Sequence, residues 1–387
     1  MEAPSRTPLL LVSTATGWLG TARIPRALAD AGFEVALLTP RNALAEKSRY
    51  VSRIGYLPDN ATPAQWASAF GAMVEATSPR IVVPCDDMAF RLLHMLVQAG
   101  RTVVRPDLAL RLSMLIRQSL GDPAYYEASV DKTLMPSAVQ ALGIRVPPHA
   151  VVEALREAEA FAAAQAYPVV LKRAHGFAGQ GVAICADDRA LARAFEEFTQ
   201  VNAQDPMCRI ANRHLVQAHI PGRIQYYIAT AWNGELLAGY AGEKVIANPE
   251  PVGPPTVARY FRAPTLREIT SRLVRGFGIS GHFFAEFVVS DQGGEASLLE
   301  LNRRITPASH RGSARNVDFC AALFAGLHGR PSTSGADIAE GDEGISVFFP
   351  GEWLRDPDSP YLTAYPADIP WDEPELFEAL LALRDGD

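Results

Sequence analysis

Apolar and polar positions along this chain follow two periods, and the switches between them mark out its elements. "PLLLVSTATGWLGTARIPRALADAGFEVALLTP" (8–40) reads as a buried strand, a glycine turn at Gly17–Gly20, an amphipathic helix stopped at Gly32, and a second strand "FEVALLT". That is a βαβ unit. Two more units follow, with "RIVVPCDD" and "RTVV" as short buried strands and "MAFRLLHMLVQAG" as the helix between them. About the first hundred residues therefore predict an open parallel sheet.

The character changes in "GDPAYYEASVDKTLMPSAVQALGIRVPPHAVV": a loop, a helix from Lys132, a glycine stop at Gly143 and a Pro-Pro lead into a strand. We place a domain boundary near residue 115. A helix rich in Ala and Glu (153–166) leads to "YPVVLKRAHGFAGQGVAICADD", which reads as strand, glycine loop, strand. A helix over 188–201, the strand "RHLVQAHI", a strand pair around "QYYIATAWNGELLAGYAG" and a Pro-rich loop at 247–256 come next. The helix "TLREITSRLVRGFG", the hairpin "HFFAEFVVSDQGGEASLLELN" and a final helix near 316–328 complete the body. In the tail, "DEGISVFFPGEWLRDPDSPYL" reads as an edge strand and loop closing over that body.

At 387 residues and 48% hydrophobic content the chain is too long for one compact domain. Its formal net charge of −7 argues against nucleic acid as a partner, since phosphate binding needs a clustered basic surface. Cys85, Cys185, Cys208 and Cys320 form no CxxC pair, so neither a zinc site nor a disulfide framework is expected, and the compartment is taken as reducing. The N-terminus lacks a signal peptide's apolar core and no later stretch is long enough to span a bilayer. The expectation is a cytoplasmic protein without a membrane partner.

Chemistry concentrates at "LLELNRRITPASH" (298–310), where Glu300, Asn302, Arg303, Arg304 and His310 follow an apolar run. Alternation along a strand puts Glu300 and Asn302 on one face, with Leu299 and Leu301 in the core. Folding back through "QGG" sets Glu286 across from Glu300. Two opposed carboxylates repel unless a cation lies between them, and two carboxylates with an amide oxygen form a hard ligand set suited to Mg²⁺. Arg304 falls on the same face, where a guanidinium can grip a phosphoryl group or a carboxylate.

Between two strands, Lys172 is followed by Gly176, Gly179 and Gly181, whose backbone N–H groups can fold over phosphates, with an ordinary hairpin loop as the alternative. It is not a P-loop, because no GK[ST] opens a helix. Gly17 and Gly20 are spaced GxxG, which reads as a tight turn and not as a dinucleotide fingerprint. Asp86 and Asp87 sit where a parallel strand ends, the edge at which open sheets place ligands, with helix N-capping as the alternative.

The chain as a whole, from about residue 8 to 330, resembles the ATP-grasp superfamily, the fold of biotin carboxylase, carbamoyl-phosphate synthetase and D-alanine:D-alanine ligase. The resemblance is carried by "DKTLMPSAVQALGIRVPP", "YPVVLKRAHGFAGQGV", "LVQAHIPG", "FFAEFVV" and "LLELNRR". It implies an α/β and α+β protein: an N-terminal parallel-sheet pre-ATP-grasp domain (1–115), then a two-subdomain ATP-grasp fold (116–330). The small lid would cover 145–215, the metal-binding subdomain 216–330, and an extension, 331–387, would pack on the body. It further implies that Lys132, Lys172 and the glycine loop hold nucleotide phosphates, and that Gln217 and the backbone near His219 meet adenine. Glu286, Glu300 and Asn302 would bind Mg²⁺, two ions or Mn²⁺ in their place, and Arg304 would touch the phosphoryl group or acyl substrate. Where members often carry an acidic pair and a ribose-binding Glu, this chain has Gln217, Ala218 and Arg223–Gln225, which leaves Gln225 for the ribose.

Lys244, Arg303, His310, Arg311 and Arg315 are candidates for the anionic end of the acceptor, with structural ion pairs as the alternative. The expected activity is a carboxylate-amine ligase: a small acid is activated by ATP as an acyl phosphate and coupled to an amine or other nucleophile. A small-molecule kinase and a non-catalytic nucleotide-binding module are the alternatives. The expected partners are small-molecule acids and amines, with a homodimer as a compatible assembly.

Overall fold

The computed structural model describes residues 6–384 except 104, 177–180, 206, 207, 209, 251 and 252. Four strands, β1 (Thr7–Val12), β2 (Phe33–Thr39), β3 (Val51–Tyr56) and β4 (Ile81–Pro84), form a parallel sheet in the order β3-β2-β1-β4. Apolar residues at successive positions bury both of its faces. Leu10, Val12, Leu38 and Val82 pack with Trp66, Phe70, Leu112 and Ile116 from the helices on one side. Leu9, Leu11, Val35 and Val83 face the opposite way, against Ile24 and Leu28 of helix Leu19–Asp30 and Cys320 and Leu323 of helix Phe319–Leu327.

One expected strand is absent: "RTV" (101–103) continues helix Asp87–Val103, and Val104 lies outside the described residues. Pro106 already opens the next helix, Pro106–Leu120, so the gap between the two helices is too short for a strand. The sheet takes β3 instead, whose mixed burial hides its strand character in the sequence.

The chain then builds β5 (His149–Val152), β6 (Val169–Arg173), β7 (Val182–Cys185) and β8 (His214–Ala218), an antiparallel sheet ordered β5-β8-β6-β7. Helices Leu155–Gln165 and Asp188–Gln204 cover one face through Ala158, Ala162, Leu191 and Phe195. The other face carries Lys172 and Gln217. A six-stranded antiparallel sheet follows from β9 (Gly222–Trp232), β10 (Glu235–Ala247), β11 (Pro255–Phe261), β12 (Gly281–Ser290), β13 (Ala296–Asn302) and β14 (Gly344–Val347). Its order is β13-β12-β9-β10-β11-β14, so the edge strand expected in the tail pairs with β11.

A glycine pair locks the parallel-sheet region to this large sheet. Gly121 has φ +96°, and a Cβ there would lie 1.8 Å from the Gly278 carbonyl oxygen, so only glycine fits the crossing. Arg303 seals the same joint from within, donating to the carbonyls of Leu120 and Ser280 and to Ser129 Oγ. Among the described residues no helix is long and apolar enough to cross a membrane.

Candidate active site

Strands β12 and β13 pair with Glu286 directly opposite Glu300 and Phe284 opposite Asn302, the register that the hairpin length predicts. One detail departs from strict alternation. Glu286 pairs Glu300 and Phe287 pairs Leu298, so Leu299 is an extra residue without an opposite number. This bulge returns Leu298 and Leu301 to the same core and takes Leu299 out of it, correcting the expectation that Leu299 and Leu301 are the buried pair. It also turns the Leu299 carbonyl to Lys172 Nζ, 3.2 Å away.

The charges here are unevenly compensated. Burial, and then the facing Glu300, push the Glu286 carboxyl above the usual carboxylate range. Burial pushes Glu300 the same way, but Lys132 and Lys172 together outweigh it and hold the group low. Lys132 Nζ lies 3.0 Å from Glu300 Oε1 and donates to the Gly176 carbonyl at 2.7 Å. Burial, assisted by Lys132 and opposed by Glu300, brings Lys172 down to about 8. A half-buried carboxylate pair in which the lysines do not outweigh burial and repulsion at one member is a site short of positive charge.

Arg304 is fixed from three sides. Its Nε donates to Asp87 Oδ2 at 2.8 Å, its Nη2 reaches Asn302 Oδ1 at 3.5 Å, and its guanidinium lies 4.9 Å from the Trp18 ring centroid. Asp87 opens helix Asp87–Val103 at the carboxyl edge of the parallel sheet. Its neighbour Asp86 accepts from Ala89 N, Thr14 N and the hydroxyls of Ser13 and Thr14, which caps the helix and pins the loop after β1. Capping thus explains Asp86, while Asp87 reaches the charged strand end. Sequence reasoning assigned neither Trp18 nor Asp87 a partner; their one signal is position, both standing at the ligand edge of the sheet.

A cleft of about 580 Å³ brings together Glu286, Glu300, Asn302, Arg304, Trp18 and Lys244. Lys244 Nζ donates to the Gly253 carbonyl at 2.9 Å, which ties it to the Pro-rich loop. On the smaller sheet Gln217 is 1% exposed, and among the described residues neither its amide nitrogen nor its amide oxygen has a hydrogen-bond partner. Gly176 and Gly181 border the glycine loop, while Gly179 lies outside the described residues. His219 stands exposed just past β8. Gln225 is buried on β9 and reaches Glu243 at 3.4 Å; Glu243 also pairs with Arg259 at 2.8 Å.

Four expected substrate residues are not brought to this cleft. Arg303 points the opposite way from Arg304, into the joint below Phe90, where burial lowers it to about 10. Arg315 stacks 3.8 Å from the Tyr260 ring centroid and donates to Ser346, fastening β14. His310 and Arg311 line a different cavity, with Arg23 and Asp368. The turn after Ile305 carries the chain away from the strand's axis, so alternation no longer applies to them.

The donor set can be tested against the groups expected. Among the described residues no three His, Cys, Asp or Glu side chains gather, so the oxygens available are two carboxylates and the Asn302 amide. That set, with its unmet negative charge, fits Mg²⁺ completed by phosphate oxygens and water. The unpartnered Gln217 amide, one donor and one acceptor group, fits the edge of a purine.

Comparison with known proteins gives matches in sequence and in fold. The model for the carbamoyl-phosphate synthase L chain, ATP binding domain, matches residues 131–213, which hold Lys132, Lys172 and the glycine loop. The carbamoyl phosphate synthase large chain of Streptomyces griseus subsp. griseus is 25% identical over 193 residues, covering 47% of this chain and 16% of that protein. The chain thus spans about one sixth of the length of that curated relative. Among solved structures, the biotin carboxylase domain of Hydrogenobacter thermophilus 2-oxoglutarate carboxylase, in complex with MgADP and bicarbonate, superposes with a TM-score of 0.64 at 16% identity, covering 86% of this chain and 72% of that one. N5-carboxyaminoimidazole ribonucleotide synthetase from Thermus thermophilus gives 0.62 at 15%, covering 87% and 82%. L-amino acid ligase from Bacillus licheniformis gives 0.60 at 14%, covering 84% and 75%. At these identities the likeness to the solved structures is one of fold. The chain therefore has the fold of these solved structures, and over residues 131–213, which hold Lys132 and Lys172, it is similar to the carbamoyl-phosphate synthase ATP-binding domain.

Proposed function

We propose that the protein is an ATP-dependent carboxylate-amine ligase. It would activate a small carboxylic acid as an acyl phosphate, couple it to an amine or other nucleophile, and release ADP and phosphate. The observation that carries this reading is the half-buried Glu286/Glu300 pair, one member only partly compensated, beside Asn302 and an arginine held by two other elements. Such a site suits stabilising the charge on a transferring phosphoryl group more than storage of a nucleotide. The catalytic unit of this proposal is 116–330, with 1–115 contributing Trp18 and Asp87.

In this account ATP lies between the Lys172/Gln217 face of the small sheet and the β12–β13 hairpin. Gln217 reads the adenine edge, Gln225 meets the ribose, and Lys132, Lys172 and the backbone at Gly176 and Gly181 hold the phosphates. Mg²⁺, held by Glu286, Glu300 and Asn302, would supply neutralisation of charge on the γ-phosphoryl group. Lys172 and Arg304 align that group with the acid's carboxylate, so the chain contributes positioning and electrostatics and needs no general acid. Lys244, facing the same cleft, holds the acid's carboxylate before transfer. The setting we propose is the cytoplasm; Cys85, Cys185, Cys208 and Cys320 are all free thiols.

The test is ADP release from Mg²⁺ and ATP, screened with pools of amino acids and other small carboxylic acids, with and without amines. Release that depends on one acid together with one amine supports the ligase. Release with one acceptor alone, with phosphate retained on the product, would move the assignment to a kinase. ATP binding with no stimulated release from any pool would count against both.

A further inference from the structure

Away from the catalytic cleft, a cavity of about 290 Å³ opens between helix Leu19–Asp30, the loop after β13 and the C-terminal extension. Its charged lining is Arg23, Arg26, His310, Arg311, Asp368 and Glu373, together with Asp30, and it shares no residue with the cleft. Most of these groups are matched. Arg26 pairs with Asp372 at 2.6 Å and with Asp30 at 3.5 Å. His310 Nε2 meets Asp368 Oδ2 at 2.7 Å, and Asp368 Oδ1 accepts from Phe349 N at 2.6 Å. Glu373 accepts from Ser48 Oγ.

Two guanidiniums are left over. Arg23 is 9% exposed, and its Nη2 donates to the backbone carbonyl of Asp368 and not to a carboxylate. Among the described residues neither Arg23 nor Arg311 has a carboxylate within ion-pair distance. The Nε atoms of both, and Nδ1 of His310, are buried without a hydrogen-bond partner among the described residues. Arg23, buried, and Arg311, half-buried, both face Asp368, and Arg23 also faces Glu373 and Asp372, yet no carboxylate among the described residues bonds either guanidinium, so charged donors in a largely buried setting are left unmatched. An anion in the cavity matches them, and guanidiniums favour planar or tetrahedral oxyanions that take two hydrogen bonds each.

We infer that this cavity is a second binding site, separate from the catalytic cleft, for a small oxyanion: a phosphate group or a carboxylate on a small molecule. The volume equals that of about ten water molecules, at the lower end of ligand pockets, so it suits a small anion and not a nucleotide. The loop that supplies His310 and Arg311 begins at Thr306 and Pro307, which line the catalytic cleft. Occupancy of the second site therefore bears on the far end of the loop that borders the first.

Thermal unfolding of the full chain, measured against rising inorganic phosphate and separately against succinate at constant ionic strength, tests the site by mass action. The wild type gains stability with at least one probe, and the stronger response tells a phosphoryl from a carboxylate ligand. Arg311→Gln weakens that binding about ten-fold or more, by loss of a charged hydrogen-bond donor, whereas Arg304→Gln, altered only in the cleft, keeps it. If Arg311→Gln does not fold, Arg23→Lys, which keeps the charge but removes the Nε donor, must weaken the response instead. No response to either probe, a response that Arg311→Gln retains in full, or one that Arg304→Gln abolishes would overturn the assignment.

Discussion

Glu300 and Glu286 face each other across a strand pair, yet the lysines outweigh burial only at Glu300, while at Glu286 burial and the facing carboxylate prevail. Glu300→Gln keeps the shape and the Lys132 contact's acceptor, so the variant folds, binds ATP weakly and loses ATP turnover. Unchanged turnover in a folded Glu300→Gln protein would remove the metal assignment. Asp87 acts through Arg304. Asp87→Asn leaves the guanidinium with a weaker anchor beside Trp18, and turnover falls about 10–100-fold while the KM for ATP stays within a few-fold, since the nucleotide contacts lie on other strands. Asp87→Glu restores part of the loss. A proportional rise in the ATP KM would instead mark Asp87 as a fold-stabilising residue.

At the level of elements, the C-terminal extension is fastened by Asp368, whose carboxylate is buried and paired with His310. Burial pushes this group up, but His310, Arg23 and Arg311 outweigh it and bring it down to about 2, below its ordinary 3.8. A depressed carboxylate contributes stability that is complete above the unfolded value and is lost as pH falls through the folded one. Asp368→Asn therefore destabilises the protein by about 2 kcal/mol at neutral pH. The gap to the wild type closes between about pH 4 and pH 2, as urea unfolding across that range will show; a gap that persists undiminished at the acid end would contradict the pairing. The same scale shows what the sequence can reveal. The βαβ start, the glycine-stopped helices and the β12–β13 register all follow from periodicity and loop length. The bulge at Leu299 does not, because one extra residue leaves no mark in composition. Nor does β3, whose residues are half exposed, or the helical fate of 101–103, a stretch too short and too mixed to favour one state.

Across the whole molecule, the residues proposed to act together come from three layers. Lys172 and Gln217 belong to the small sheet, Glu286, Glu300 and Asn302 to the large one, and Trp18 and Asp87 to the edge of the parallel sheet. Motif spacing within one strand exposed the middle group. Contacts between layers, such as Asp87 with Arg304, arise from tertiary packing between residues far apart in the chain and have no local signature. For the same reason Arg303, adjacent to Arg304, could not be told from it until the joint at Gly121 and Gly278 was seen. The acyl phosphate is the claim on which the functional account stands. Once the screen has named an acid, the decisive measurement uses that acid with ¹⁸O in its carboxylate. The carboxylate oxygen attacks the γ-phosphorus, and the nucleophile then displaces phosphate with that oxygen attached. The expected result is one ¹⁸O in each phosphate released per turnover; unlabelled phosphate, with ¹⁸O retained in the acid or its product, would contradict it.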